Sequence, residues 1–222
     1  MKEYKIGSTT VFSFDWDYIS SHCYMIAGEK NVILIDPVLT DETEKAFKSI
    51  SEKHIHVILT HEHFDHINGV PLLRKICTAT VYCNNVCSEK IKMPSKNLSD
   101  KADVIAMFDK TAVHGNVQPF CCEADICFEN EYSFSVGGHF IKMITTPGHT
   151  DGSICVILDN ELLFSGDSLL DTPTITRLPG GSKKDFQNIT LPFFRSLTEN
   201  IRMVFPGHGS PGTMEQLLKI NT

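Results

Sequence analysis

The chain has 222 residues, 41% of them hydrophobic, and a net charge of -7 from 20 Lys+Arg and 27 Asp+Glu. This ordinary globular composition excludes global disorder, and an acidic chain with no basic run longer than Lys183-Lys184 lacks the clustered cations that non-specific nucleic-acid or membrane-surface binding uses. With no apolar stretch near the ~18–20 residues of a bilayer span and no apolar leader behind Met1-Lys2-Glu3-Tyr4-Lys5, the expectation is a cytoplasmic protein of one domain, residues 1–222, that acts on a small molecule without nucleic-acid or membrane partners.

In chain order, Val11-Phe12-Ser13-Phe14 alternates like a strand, and Cys23-Tyr24-Met25-Ile26-Ala27 predicts a second. Gly28-Glu29-Lys30-Asn31 turns the chain into Val32-Ile33-Leu34-Ile35, an apolar run of the kind buried on both faces. Asp36-Pro37 ends that run. Residues 40–51 predict a helix, with Asp41 and Glu42 at its N-terminal end and Ala46, Phe47 and Ile50 on one face. Residues 55–60 read as a strand, 70–76 as a short helix and 79–82 as another strand. Residues 84–118 are polar and weakly periodic, either a helical insertion or a loop over a site.

Strand patterns return at 132–136, 140–145, 153–158 and 162–165, with hairpin turns at Gly137-Gly138 and Asp159-Asn160. Residues 185–197 suggest a helix disturbed by Pro192, 203–205 a last strand and 213–220 a terminal helix. Strands thus come in two sets, each followed by helices, and no Pro/Ser-rich linker divides them. The pattern predicts an α/β chain (α+β by some schemes) with helices on the outer faces of two sheets.

Eight cysteines are present. Without a leader, reduced thiols are the expectation, chiefly as small buried apolar side chains. Cys83-x3-Cys87 and Cys121-Cys122-x4-Cys127 offer a zinc cluster as the alternative, without the paired C-x2-C spacing.

The chemistry is concentrated in His61-Glu62-His63-Phe64-Asp65-His66, directly after a predicted strand. Packing gives no reason to place so many ionisable groups together. Metal coordination does, because imidazole suits zinc and iron and carboxylate adds a hard anionic ligand. Three more ligand-type residues each follow a strand and a Gly-bearing turn: His149 in Thr146-Pro147-Gly148-His149-Thr150, Asp167 in Phe164-Ser165-Gly166-Asp167, and His208 in Phe205-Pro206-Gly207-His208-Gly209. A rigid scaffold presents ligands from such strand-end loops.

In these residues the sequence resembles the metallo-β-lactamase-fold hydrolases. The resemblance runs from Val32 to Gly209 and rests on the order H-x-H-x-D-H, PGHT, GD, PGHG. It implies a four-layer αβ/βα metallo-β-lactamase sandwich with metals at one edge of the paired sheets. It also implies His61, His63 and His149 on one metal, Asp65, His66 and His208 on a second, and Asp167 bridging the two. The implied cofactors are two divalent ions, zinc foremost, with iron or manganese as alternatives.

The branch follows from departures. β-Lactamases of this fold usually lack the bridging Asp and are secreted. The flavodiiron branch has Glu where His63 stands, and the nucleic-acid-processing branches carry large insertions or basic exosites. Leu163-Phe164-Ser165-Gly166-Asp167-Ser168-Leu169 and Leu178-Pro179-Gly180-Gly181 resemble instead the glyoxalase II-like thioesterases, with lactonases and persulfide dioxygenases as relatives. The G-R-x-D that usually precedes that LPGG is replaced by Pro173-Thr174-Ile175-Thr176-Arg177, and the helical region that helps to hold glutathione is not matched.

The resulting expectation is a metal-dependent hydrolase in which a metal-bridged hydroxide attacks a thioester or other activated ester, with Asp65 and Asp167 as catalytic carboxylates. The alternatives are a mononuclear iron persulfide dioxygenase, a lactonase, or a non-catalytic metal-binding protein. Among other residues, His22 is a candidate for the pocket wall, and Trp16 and Tyr18 for wall or core. His54 and His56 read as surface or satisfied core histidines. Lys183 and Lys184 either meet an anionic substrate or form a solvated surface. His114 and His139 receive no role.

Overall fold

The computed structural model describes residues 1–107 and 117–221. One sheet holds seven strands in sequence order: β1 (Lys2–Ile6), β2 (Thr9–Trp16), β3 (Ser21–Ala27), β4 (Asn31–Ile35), β5 (His54–Ile58), β6 (Thr78–Asn84) and β7 (Ile126–Phe128). The first four form an antiparallel meander, and β4 to β7 run parallel. The second sheet has β8 (Glu131–Val136), β9 (His139–Thr145), β10 (Ile154–Leu158), β11 (Leu162–Gly166) and β12 (Met203–Pro206), in the order β12-β11-β10-β9-β8. Its β11–β12 pair is parallel, and β8–β9, β9–β10 and β10–β11 are antiparallel.

Alternation along β4 explains the layers. Ile33 and Ile35 join the apolar core between the sheets, whereas Val32 and Leu34 face the helical side. A strand buried on both faces needs apolar residues at every position, as its sequence has. In the inter-sheet core Phe164 stacks on Phe205 at 5.0 Å, and Tyr24 meets Phe205 edge-on at 5.3 Å. The Tyr24 hydroxyl donates to Pro206 O at 2.6 Å, so its polar end is satisfied where it is buried. Phe186, Leu191, Phe194 and Leu217 cover the outer face of the second sheet. The four-layer sandwich expected from the sequence is present.

The helices start and stop for local reasons. Thr40 caps Asp41–Ser49 by accepting from Thr43 N at 3.0 Å, while Thr43 Oγ1 accepts from Thr40 N at 2.8 Å. Pro192 acts as expected, but as a boundary. The chain runs Lys183–Asp185, then a π-helical turn Phe186–Thr190, then the helix Leu191–Ser196 with proline in its first turn.

The segment after β6 is largely helical over residues 85–106 and irregular over 117–125. Asn85–Lys90, Pro94–Asn97 and Ala102–Ala106 form short helices, and Leu98, Ala102 and Ala106 pack on Phe64 and Tyr18. His114 lies outside the described residues. The cysteines are free thiols; Cys23, Cys83, Cys87, Cys122 and Cys155 are buried, whereas Cys121 and Cys127 are exposed. No three cysteine sulfurs converge as donors among the described residues.

Candidate metal centre

Loops following β4, β5, β9, β11 and β12 meet at one edge of the sandwich, bringing Asp36, the 61–66 segment, His149, Asp167 and His208 together. Backbone hydrogen bonds join the sheets there. Ile154 N donates to Thr60 O at 2.8 Å, and His22 N donates to Gly207 O at 2.9 Å. Close approach also depends on glycine. A Cβ at Gly207 would collide with Asp167 Oδ1 and lie 2.7 Å from His66 Cε1. Gly166 has φ +50°, and a Cβ there would meet the Thr60 side chain.

His61, His63 and His149 form the first pocket, and all three are buried. The tautomers of His61 and His149 follow from their outer partners. Thr60 Oγ1 gives its proton to Asp36 Oδ2 at 2.5 Å, so it accepts from His61 Nδ1 at 3.1 Å. Ile175 O accepts from His149 Nδ1 at 2.8 Å. Both Nε2 atoms therefore carry lone pairs, and they lie 3.0 and 3.1 Å from His63 Nδ1. Those spacings approach the edge of about 3.3 Å for nitrogens around a tetrahedral zinc. Burial holds the pKa of His63 and His149 down to about 4 and that of His61 well below the usual range. Neutral imidazoles with converging lone pairs are metal ligands in waiting.

The second pocket has the opposite electrostatics. His66 Nδ1 donates to Asp36 Oδ2 at 2.9 Å, which turns Nε2 towards His208 Nε2 at 3.3 Å and Asp65 Oδ2 at 3.4 Å. His208 Nε2 is also 3.1 Å from Asp65 Oδ2. Burial works against positive charge here, yet Asp65, Asp167 and Asp36 outweigh it and hold the His66 pKa well above its ordinary value. His208 is raised by Asp167 and Asp65 in the same way. The pocket therefore draws positive charge, whether a proton or a cation.

Asp167 lies between the two pockets. Its Oδ2 is 3.5 Å from His149 Nε2 and from His208 Nε2, and its Oδ1 is 3.5 Å from His66 Nε2. Oδ1 is buried and accepts no hydrogen bond among the described residues. A buried carboxylate with one oxygen left in that state, and with its two oxygens together facing three imidazoles, fits a cation-bridging position. Burial opposes its ionisation, but His208, His66 and His149 prevail and keep its pKa below the usual carboxylate range. All seven residues expected from the sequence are thus brought together, and the donor set fits a pair of divalent ions.

Three contributors were not singled out by their residue type. Asp36 takes a left-handed φ of +49° after β4 and accepts from Thr60 N, Thr60 Oγ1 and His66 Nδ1. The Asp-Pro break after a buried strand is its one sequence signal. Thr60 relays Asp36 to His61. Glu62, inside the motif, points away from the ligands to Lys90 and Thr150.

The other candidates lie outside the ligand groups. His22 is buried, with Nε2 donating to Gly209 O at 2.7 Å and Nδ1 2.9 Å from Asp15, so it braces the His208 loop. Trp16 and Tyr18 stack at 4.9 Å beside Phe64. His54 pairs with Thr80, His56 with Tyr82 and His139 with Asp159. Lys183 and Lys184 are exposed.

The sequence model of the metallo-beta-lactamase superfamily matches residues 16–208. The chain belongs to this superfamily. Its similarity extends to a probable polyketide biosynthesis zinc-dependent hydrolase of Bacillus velezensis, BaeB, at 29% identity over 91% of this chain and 80% of that protein. A probable metallo-hydrolase of Methanocaldococcus jannaschii, MJ0888, is 30% identical over 87% of this chain and 89% of its own. In fold, the chain matches the BLEG-1 B3 metallo-beta-lactamase with a TM-score of 0.74 at 24% identity, over 95% and 97% of the two chains. It matches TTHA1623 in a di-iron-bound form with a TM-score of 0.70 at 23% identity, over 95% and 98%. No described helix is long and apolar enough to cross a membrane.

Proposed function

We propose that this member of the superfamily is a metal-dependent hydrolase with a two-ion centre that cleaves a thioester or other activated ester of a small molecule. The single observation that carries the proposal is Asp167, whose carboxylate faces His149 of one ligand group and His66 and His208 of the other. His61, His63 and His149 would hold one ion, Asp65, His66 and His208 the other, and Asp167 would touch both. Bound divalent ions supply Lewis acidity, lowering the pKa of water towards ~7 and polarising a carbonyl oxygen.

The chain's own residues do the rest. Asp167 and Asp65, both kept ionised by neighbouring histidines, accept hydrogen bonds from an attacking water and orient it. The neutral imidazoles of the first pocket keep their lone pairs available to an ion, without competing protons. Ile175 O holds His149 in register, which ties the 170–182 loop to the ligand geometry. A thioester suits this arrangement because its thiolate leaves without a general acid.

Zinc is supported by the similarity to a zinc-dependent hydrolase, and iron by the di-iron fold neighbour. The intact second ligand group favours two ions over the single iron of a persulfide dioxygenase. The test is a panel of acyl thioesters, lactones, aryl esters and a persulfide, assayed with zinc, iron or manganese supplied. Thioester hydrolysis as the fastest reaction supports the proposal. Oxygen uptake with the persulfide, without ester cleavage, overturns it.

A further inference from the structure

Glu62 stands between two ligand histidines, is 1% exposed, and among the described residues directs its carboxylate to Lys90 and Thr150 rather than to the ligand atoms. A carboxylate with no solvent must be matched by donors, or its desolvation destabilises the fold. Both of its oxygens are matched. Lys90 Nζ, at the end of the helix Asn85–Lys90, donates to Oε1 at 2.7 Å. Thr150 Oγ1 donates to Oε2 at 2.9 Å. Lys90 also pairs with Asp151, and Gly152 lies so close that a Cβ there would sit 2.9 Å from Glu62 Oε2.

These contacts join two segments that must be held at a fixed spacing. One carries His61 and His63, and the other carries His149. His63 Nδ1 and His149 Nε2, 3.1 Å apart, come from residues that flank the Glu62–Thr150 contact on each strand of chain. The second ligand group is held differently, by Asp36 on His66 and by the Ser21 hydroxyl donating to Asp65 O at 2.8 Å.

We propose that Glu62 is a positioning residue for the first ligand group, clamping the His149 loop through Thr150, with Lys90 as its counter-charge. The proposal rests on the metal-centre reading above. It predicts that the two ions depend unequally on Glu62. Residues outside a metal's own ligands commonly alter affinity by about 10–100-fold.

The test is titration of the metal-free full chain with cobalt(II), followed by its visible absorption and by chelator competition. Glu62→Ala should weaken one of two sites by about 10–100-fold and leave the other little changed. Glu62→Gln should recover most of that loss, because an amide oxygen accepts from Lys90 while its NH2 donates to the Thr150 hydroxyl. Thr150→Val removes only the bridge, keeps the side-chain volume, and should weaken the same site. It also serves if Glu62→Ala does not fold. Unchanged binding in both Glu62→Ala and Thr150→Val overturns the proposal. So does equal weakening of both sites with no recovery in Glu62→Gln. A parent chain that binds no ion overturns this proposal and the metal-centre reading together, whereas a parent that binds two with unaffected variants overturns this one alone.

Discussion

Asp36 and His66 lie thirty residues apart in sequence and meet through a 2.9 Å hydrogen bond from Nδ1 to Oδ2 at the base of the site. The same carboxylate holds Thr60, and through it His61. One side chain therefore orients an imidazole in both ligand groups. Asp36→Asn keeps the size but places an NH2 donor against donors. We expect about 10–100-fold weaker metal binding at the His66 group, read by chelator competition, with the fold retained by circular dichroism.

Gly207→Ala tests how tightly the His208 loop closes on the site. Its Cβ has no room between Asp167 Oδ1 and His66 Cε1. Misplacing such groups by about 1 Å costs on the order of 100-fold in rate. Turnover should fall by that order, with the fold retained by circular dichroism. Near-normal turnover would show that the loop has slack the structure does not display.

Phe205 is fully buried between the sheets, against Tyr4, Tyr24 and Phe164. Phe205→Ala removes a ring from a close-packed core and should destabilise the protein by about 3–5 kcal/mol. Urea unfolding of parent and variant measures this directly.

His56 offers a pH test away from the metal centre. Burial lowers its pKa from 6.5 to about 4, beside His54, Tyr82 and Phe134. The folded state keeps it neutral, while the unfolded chain takes up a proton below about pH 6.5. The unfolded state thus binds more protons between about pH 6.5 and 4, and stability falls as pH falls through that window. In His56→Phe this contribution is absent. The stability gap between parent and variant should shift in favour of the variant on going from pH 7 to pH 5, as read by urea melts at the two pH values.

Much of this arrangement is legible in the sequence because it is encoded locally. The candidate ligand residues sit in short segments after apolar strands, and β4 and β10 carry continuous apolar runs of the kind buried on both faces. β1 was not expected: Lys2–Ile6 is a mostly polar edge strand, with little apolar pattern to reveal it. The three-residue β7 is too short to give a period. Asp36 and Glu62 were harder still. Their roles come from partners far along the chain, Thr60, His66, Lys90 and Thr150, and a lone carboxylate does not announce its partners. The 170–182 loop reaches His149 through the Ile175 backbone, yet its sequence carries no pattern tied to one ligand.

Metal analysis of the anaerobically purified chain tests the proposed two-ion centre bridged by Asp167 most directly. Elemental analysis should find two divalent ions per chain in the parent, and Asp167→Ala should lose bound metal and turnover while keeping its circular dichroism spectrum. A single iron per parent chain, or an Asp167→Ala variant with both ions and normal turnover, would contradict it.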